Sequence, residues 1–82
     1  MSVQPEQVRF FERKPTSPQP GDYWRVNRDE NSLVILCCPG CGSLGDLGDH
    51  TIHLLEPLTV EPSVICDQGC HYFIANGQVR WA

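Results

Sequence analysis

The chain has 82 residues, a formal net charge of -4 and five cysteines. That length allows one domain with a thin hydrophobic margin, a size that commonly needs disulfides, a metal or a partner to fold. The excess of 10 acidic over 6 basic residues argues against a DNA-binding finger, which shows a basic stripe. Here Arg9, Arg13 and Lys14 cluster near the N-terminus, and Arg25, Arg28 and Arg80 are scattered.

Met1-Ser2-Val3-Gln4 lacks a basic segment followed by an apolar run, so a secreted disulfide scaffold is not expected and a cytoplasmic location is. The longest apolar stretch, Leu33-Val34-Ile35-Leu36, suits a buried strand and falls far short of the ~20 residues that span a bilayer.

Residues 1-19 mix charges with Pro5, Pro15 and Pro18. They read as an N-terminal arm outside the domain proper, either flexible or a docking segment carrying Phe10-Phe11. Glu6 to Lys14 suits one helical turn or an edge strand before Pro15 stops it. The domain is expected over residues 20-82. Pro20-Gly21-Asp22 signals a turn. Tyr23 to Asn27 reads as a strand, Arg28-Asp29-Glu30-Asn31 as a polar hairpin loop, and Ser32 to Cys37 as a central strand.

After Gly42 the chain is turn-rich, with Gly45, Gly48 and Asp49 opposing a long helix. His50 to Leu55 reads as a short strand, and Leu58-Thr59-Val60 as an extended piece between Pro57 and Pro62. Tyr72 to Ala75 and Gln78 to Trp81 flank Asn76-Gly77, the preferred pair for a type I′ hairpin turn. The expected fold is small, mostly β and zinc-ribbon-like, with short antiparallel strands stapled by one metal site.

Cys38-Pro39-Gly40-Cys41-Gly42 is the strongest motif. A tetrahedral zinc ion with bonds of about 2.3 Å holds its sulfurs about 3.7 Å apart. Two residues between cysteines allow a turn that aims both thiolates at one point, with backbone N–H groups supporting their charge. In a reducing compartment this spacing favours metal over disulfide. The second half of the site comes from Cys66, Cys70 and His71. Cys66 with Cys70 gives four thiolates, and Cys66 with His71 gives three thiolates and an imidazole. Adjacent residues in a strand face opposite ways, so only one of Cys70 and His71 can reach the metal. The candidate ligands are therefore Cys38, Cys41, Cys66, Cys70 and His71, for one structural Zn2+ or an iron ion in the same geometry.

Cys37 reads as an ordinary buried thiol. His50 is a reserve ligand, and His53 a structural or exposed residue. Gly42-Ser43-Leu44-Gly45 cannot start the helix that a redox CxxC needs. Hydrolytic zinc needs an open position and a general base, and Asp46 and Asp67 read as solvated loop carboxylates. No catalytic residue is expected.

Pro20-Gly21-Asp22-Tyr23-Trp24, Cys38-Pro39-Gly40-Cys41-Gly42-Ser43, Pro62-Ser63-Val64 and Cys70-His71-Tyr72-Phe73-Ile74, with Gly77 and Trp81, resemble a small uncharacterised family of bacteriophages, prophages and bacteria whose members look like zinc ribbons. The resemblance covers roughly residues 20-82. It implies a phage or mobile-element origin, a cytoplasmic or virion-associated location, and Cys70 and His71 as the positions where the family keeps its Cys-His pair. Some relatives look like neighbours of bacterial ubiquitin-like conjugation genes. Thr51-Ile52-His53 stands where the family often has a tryptophan.

The expected function is a non-enzymatic, zinc-stabilised protein-interaction module, binding a virion component or a host protein through exposed aromatics such as Tyr23, Trp24 or Trp81, plus Phe10-Phe11, since aromatics concentrate interface energy. Packing on the sheet is the equal alternative for each, and the expected fate of Trp24. A zinc-ribbon nucleic-acid-binding or transcription-associated protein is the alternative.

Overall fold

The computed structural model describes residues 7-28 and 31-82. The start of the arm, residues 1-6, and Asp29-Glu30 of the expected hairpin loop lie outside them. Among the described residues there are nine short strands and no helix: β1 (Arg9–Phe11), β2 (Asp22–Arg28), β3 (Asn31–Cys37), β4 (Leu44–Asp46), β5 (Thr51–Leu54), β6 (Thr59–Glu61), β7 (Val64–Ile65), β8 (His71–Ala75) and β9 (Gln78–Trp81). They form a four-stranded sheet in the order β1-β2-β3-β4, a β5-β6 pair, and a three-stranded sheet in the order β7-β8-β9. This is the small mostly-β, ribbon-like fold read from the sequence.

The apolar run in β3 makes a central strand, flanked by β2 and β4. Its Val34 and Leu36 are buried, while Leu33 and Ile35 are half-buried. β2 places Tyr23 opposite Leu36, and the Tyr23 hydroxyl donates to the Leu55 carbonyl at 2.6 Å. One core gathers Tyr23, Leu36, Cys38, Leu58, Val60, Tyr72, Ile74 and Val79 from all three sheets. Tyr23, one of the candidate contact aromatics, is 1% exposed, and Trp24, expected to pack on the sheet, is 2% exposed. Trp81 is exposed at 38%, its ring against Tyr72 at 5.3 Å between centroids.

Of the two readings of Glu6 to Lys14, the structure shows the strand: β1 runs parallel to β2, with Phe10 beside Tyr23. Arg9 secures it by an ion pair to Asp22, 2.7 Å from Nη2 to Oδ1. The Asp22 carboxylate is 2% exposed and also accepts the Gln19 N–H at 2.9 Å. A buried carboxylate needs such partners. The β8-β9 hairpin turns at Asn76 (φ 52) and Gly77 (φ 75), the left-handed pair that its sequence demands.

Candidate functional site: a four-cysteine cluster beside a serine–histidine pair

β3 ends at Cys37 and delivers the chain into a tight loop. Cys38 N–H donates to Ser43 O, and Gly42 N–H donates to Cys38 O. Across the core, the turn between β7 and β8 repeats this arrangement. Cys66 N–H donates to Cys70 O, and Gly69, left-handed at φ 92, donates to Cys66 O. The two loops face each other, and the sulfurs of Cys38, Cys41, Cys66 and Cys70 all lie within 4.8 Å of one another. The Sγ atoms of Cys41 and Cys66 are 3.5 Å apart. A metal bonded to four sulfurs needs edges of about 3.7 Å, so the cluster is close enough to hold an ion. Gly40 N–H points at Cys38 Sγ at 3.4 Å, and Gln68 N–H at Cys66 Sγ at 3.3 Å. These are the donors that stabilise thiolate charge in such knuckles.

The four thiols do not ionise alike. Burial opposes ionisation of Cys66, but the hydrogen bonds it accepts from the Cys70 and Gln68 backbone and from neighbouring thiols outweigh that and bring it down to about 6. Its hydrogen bond with Cys66 then keeps the Cys70 proton in place and pushes that thiol up to about 12. One site, with its protons shared unequally, is what metal would replace.

His71 is not in the cluster. Where Cys70 turns inward, His71 begins β8 on the opposite, exposed face. There its Nε2 lies 2.7 Å from Ser63 Oγ. The register explains the contact. Ile65 pairs with His71, so Ser63, two residues earlier, lies diagonal to His71 on the same face, within reach of a long side chain. Phe73, next along that face, packs against the His71 ring at 6.1 Å between centroids. A groove of about 520 Å³, lined by Thr51, Val60, Glu61, Pro62, Ser63 and Phe73, opens at the serine. Among the described residues no carboxylate pairs with His71.

The remaining candidates lie elsewhere. His50 Nε2 meets the Ser63 carbonyl oxygen at 3.0 Å. His53 pairs with Glu61 at 3.2 Å. Cys37 is 1% exposed and its thiol donates to Gly42 O at 3.3 Å. Ser63 is the residue that sequence reading missed. Alternation relates Ser63 to Ile65 and His71 to Phe73 within each strand, but only the β7–β8 register sets all four on one face.

Fold and site together define a small all-β protein in which the β7–β8 segment supplies both half of a four-cysteine cluster and a serine–histidine contact. Residues 10-82 match the model of the BubE family, described as "Bacterial ubiquitination-like system serine protease", and the chain belongs to that family. Neither a curated relative nor a solved structure matches it. The family corrects three expectations. A family of serine proteases overturns the expected absence of catalysis, and with it both the non-enzymatic interaction module and the nucleic-acid-binding alternative. The family's description is of a bacterial system and is not specific to phages. Among the described residues no helix is long and apolar enough to cross a membrane.

Proposed function

We propose that the chain is a serine protease with Ser63 as nucleophile and His71 as general base, stapled by a structural zinc ion on Cys38, Cys41, Cys66 and Cys70. The observation that carries this reading is the 2.7 Å contact between Ser63 Oγ and His71 Nε2, in a chain of the serine-protease family. A serine hydroxyl is a weak nucleophile until an adjacent base takes its proton.

With the His71 hydrogen on Nδ1, the Ser63 hydroxyl donates to Nε2. Oγ attacks the substrate carbonyl carbon as its proton passes to Nε2, giving a tetrahedral oxyanion and an imidazolium. Collapse expels the leaving amine, which takes the proton back from His71, and leaves an acyl group on Ser63. Water then attacks that ester, losing its proton to Nε2, and carboxylate and free serine are regenerated. The groove at Ser63 admits an extended peptide, and the proposed substrate is a protein of a bacterial ubiquitination-like system.

Zinc held by Cys38, Cys41, Cys66 and Cys70 would supply a cross-link and no reaction step, since four thiolate ligands leave no position for water. Its effect on the chemistry would pass through the chain. Ser63 stands three residues before Cys66, and His71 follows Cys70, so the same staple sets the spacing of nucleophile and base.

Hydrolysis of a nitrophenyl ester tests the reading. Ser63→Ala and His71→Ala are expected to lose activity by about 10²-fold or more while keeping wild-type metal content and melting. Chelation is expected to unfold the domain and abolish activity together. Full activity in Ser63→Ala would reject Ser63 as nucleophile, and a cooperative melt after complete metal removal would reject the staple.

A further inference from the structure

His50 makes a contact that acyl transfer does not itself use. A carbonyl oxygen only accepts, so the ring nitrogen facing Ser63 O at 3.0 Å carries the hydrogen and donates it. The other ring nitrogen, Nδ1, is buried and has no hydrogen-bond partner among the described residues. Bare buried polar atoms are rare in folded proteins and cost stability. An imidazole kept under that penalty calls for a role that an apolar side chain at position 50 cannot fill.

The ladder shows what that role is. Cys66 N–H bonds Cys70 O, and in an antiparallel pair the groups aimed at the partner alternate along the strand. Val64 therefore bonds toward β8, whereas the Ser63 carbonyl points away from it. Val64 N–H ties that peptide group to β8 on one side, and His50 holds its Ser63 carbonyl from the other. The His50 loop is itself tied down: His50 N–H donates to Leu47 O at 3.0 Å, and Leu47 N–H donates to Val34 O at 2.9 Å. A chain of hydrogen bonds thus runs from the central strand β3 to the carbonyl of Ser63. The hydroxyl of the same residue meets His71 on the exposed face.

We propose that His50 is a positioning residue for the nucleophile, holding the Ser63 peptide group so that Oγ stays in line with His71. The proposal rests on the reading of Ser63 and His71 as the catalytic pair. In the familiar triads a carboxylate orients the base. Here no carboxylate pairs with His71 among the described residues, and orientation is imposed on the serine instead.

The test compares His50→Leu, which fills similar space without a donor, with His50→Gln, whose amide N–H can still donate to Ser63 O. Both are assayed in metal-loaded, full-length protein for kcat and KM on p-nitrophenyl acetate, for the pH–rate profile, and for melting temperature. Small displacements of a reacting group cost up to about 10²-fold. His50→Leu is therefore expected to lower kcat by about 10- to 100-fold with KM and the shape of the pH profile unchanged. His50→Gln is expected to recover most of that loss. Wild-type kcat in His50→Leu overturns the proposal. So does an equal loss in both variants that tracks a lowered melting temperature, the mark of a purely structural tie. An inert wild-type protein would instead reject the Ser63–His71 reading itself, and the positioning role with it.

Discussion

A methyl group added at Gly40 probes the coupling of knuckle and metal site most sharply. A Cβ built there would lie 2.8 Å from Cys70 Sγ and 3.0 Å from Trp81 Cη2. Ordinary contacts begin at about 3.5 Å, so the methyl overlaps the sulfur by about 0.7 Å and the ring by about 0.5 Å. Trp81 is held against Tyr72, and metal–sulfur distances tolerate only about 0.2 Å. Relief of the overlap therefore displaces a ligand beyond that tolerance. Gly40→Ala is expected to weaken metal binding by about 10- to 100-fold, the range seen when groups supporting a ligand are altered. Competition against a chromogenic chelator measures it. Two other glycines separate this effect from the generic cost of substitution. Gly45 has nothing within 4 Å of its would-be Cβ, and Gly45→Ala is expected to bind metal normally. Gly69 also faces open space but sits at φ 92, so alanine there costs about 1–2 kcal/mol of backbone strain without pushing on a sulfur. Wild-type metal affinity in Gly40→Ala would refute the reasoning.

Leu58 is 0% exposed in the core shared by all three sheets. Leu58→Ala is expected to lower the unfolding free energy by about 2–5 kcal/mol in denaturant titrations, whereas Leu54→Ala, at a half-exposed position, should change it by no more than about 0.5 kcal/mol. Tyr23 gives a pH prediction. Burial, and then the charge of Glu56, push its phenol from 10.0 up to about 12. A phenol whose pKa is raised on folding contributes stability that is complete below its unfolded value and is lost as pH rises through the folded one. Stability should therefore fall between pH 10 and 12, and the fall should be reduced in Tyr23→Phe. An identical alkaline profile in that variant would contradict the assignment.

Much of the fold is legible in the sequence because its signals are local. Asn76-Gly77 dictates its own turn, the apolar run of β3 announces a central strand, and Cys38-Pro39-Gly40-Cys41 carries its loop geometry in its glycine and spacing. β4 was not legible. Leu44-Gly45-Asp46 sits among glycines and becomes a strand only because the free edge of β3 pairs with it. β1 likewise depends on a distant partner, the buried carboxylate of Asp22.

The proposed Ser63–His71 pair failed to register for a different reason. Beside Cys70, His71 reads as a metal ligand, and in the sequence alone Ser63 is simply the residue after a proline. Strand alternation separates Cys70 from His71, but it does not show what the outward residue meets. That meeting is set by the register between β7 and β8, a property of the folded sheet. The aromatics show the same limit: Tyr23 and Trp24 suit an interface as well as a core, and the packing of β1 and β3 against β2 decides for the core.

The central claim, an activated serine beside a cysteine staple, is tested most directly by a fluorophosphonate probe, which reacts only with a serine whose proton a neighbouring base has taken. Metal-loaded protein is treated with the probe and the adduct mapped by peptide mass spectrometry. A single adduct on Ser63, lost in His71→Ala and after chelation, is the expected result. No adduct on Ser63, or one that persists undiminished in His71→Ala, would contradict it.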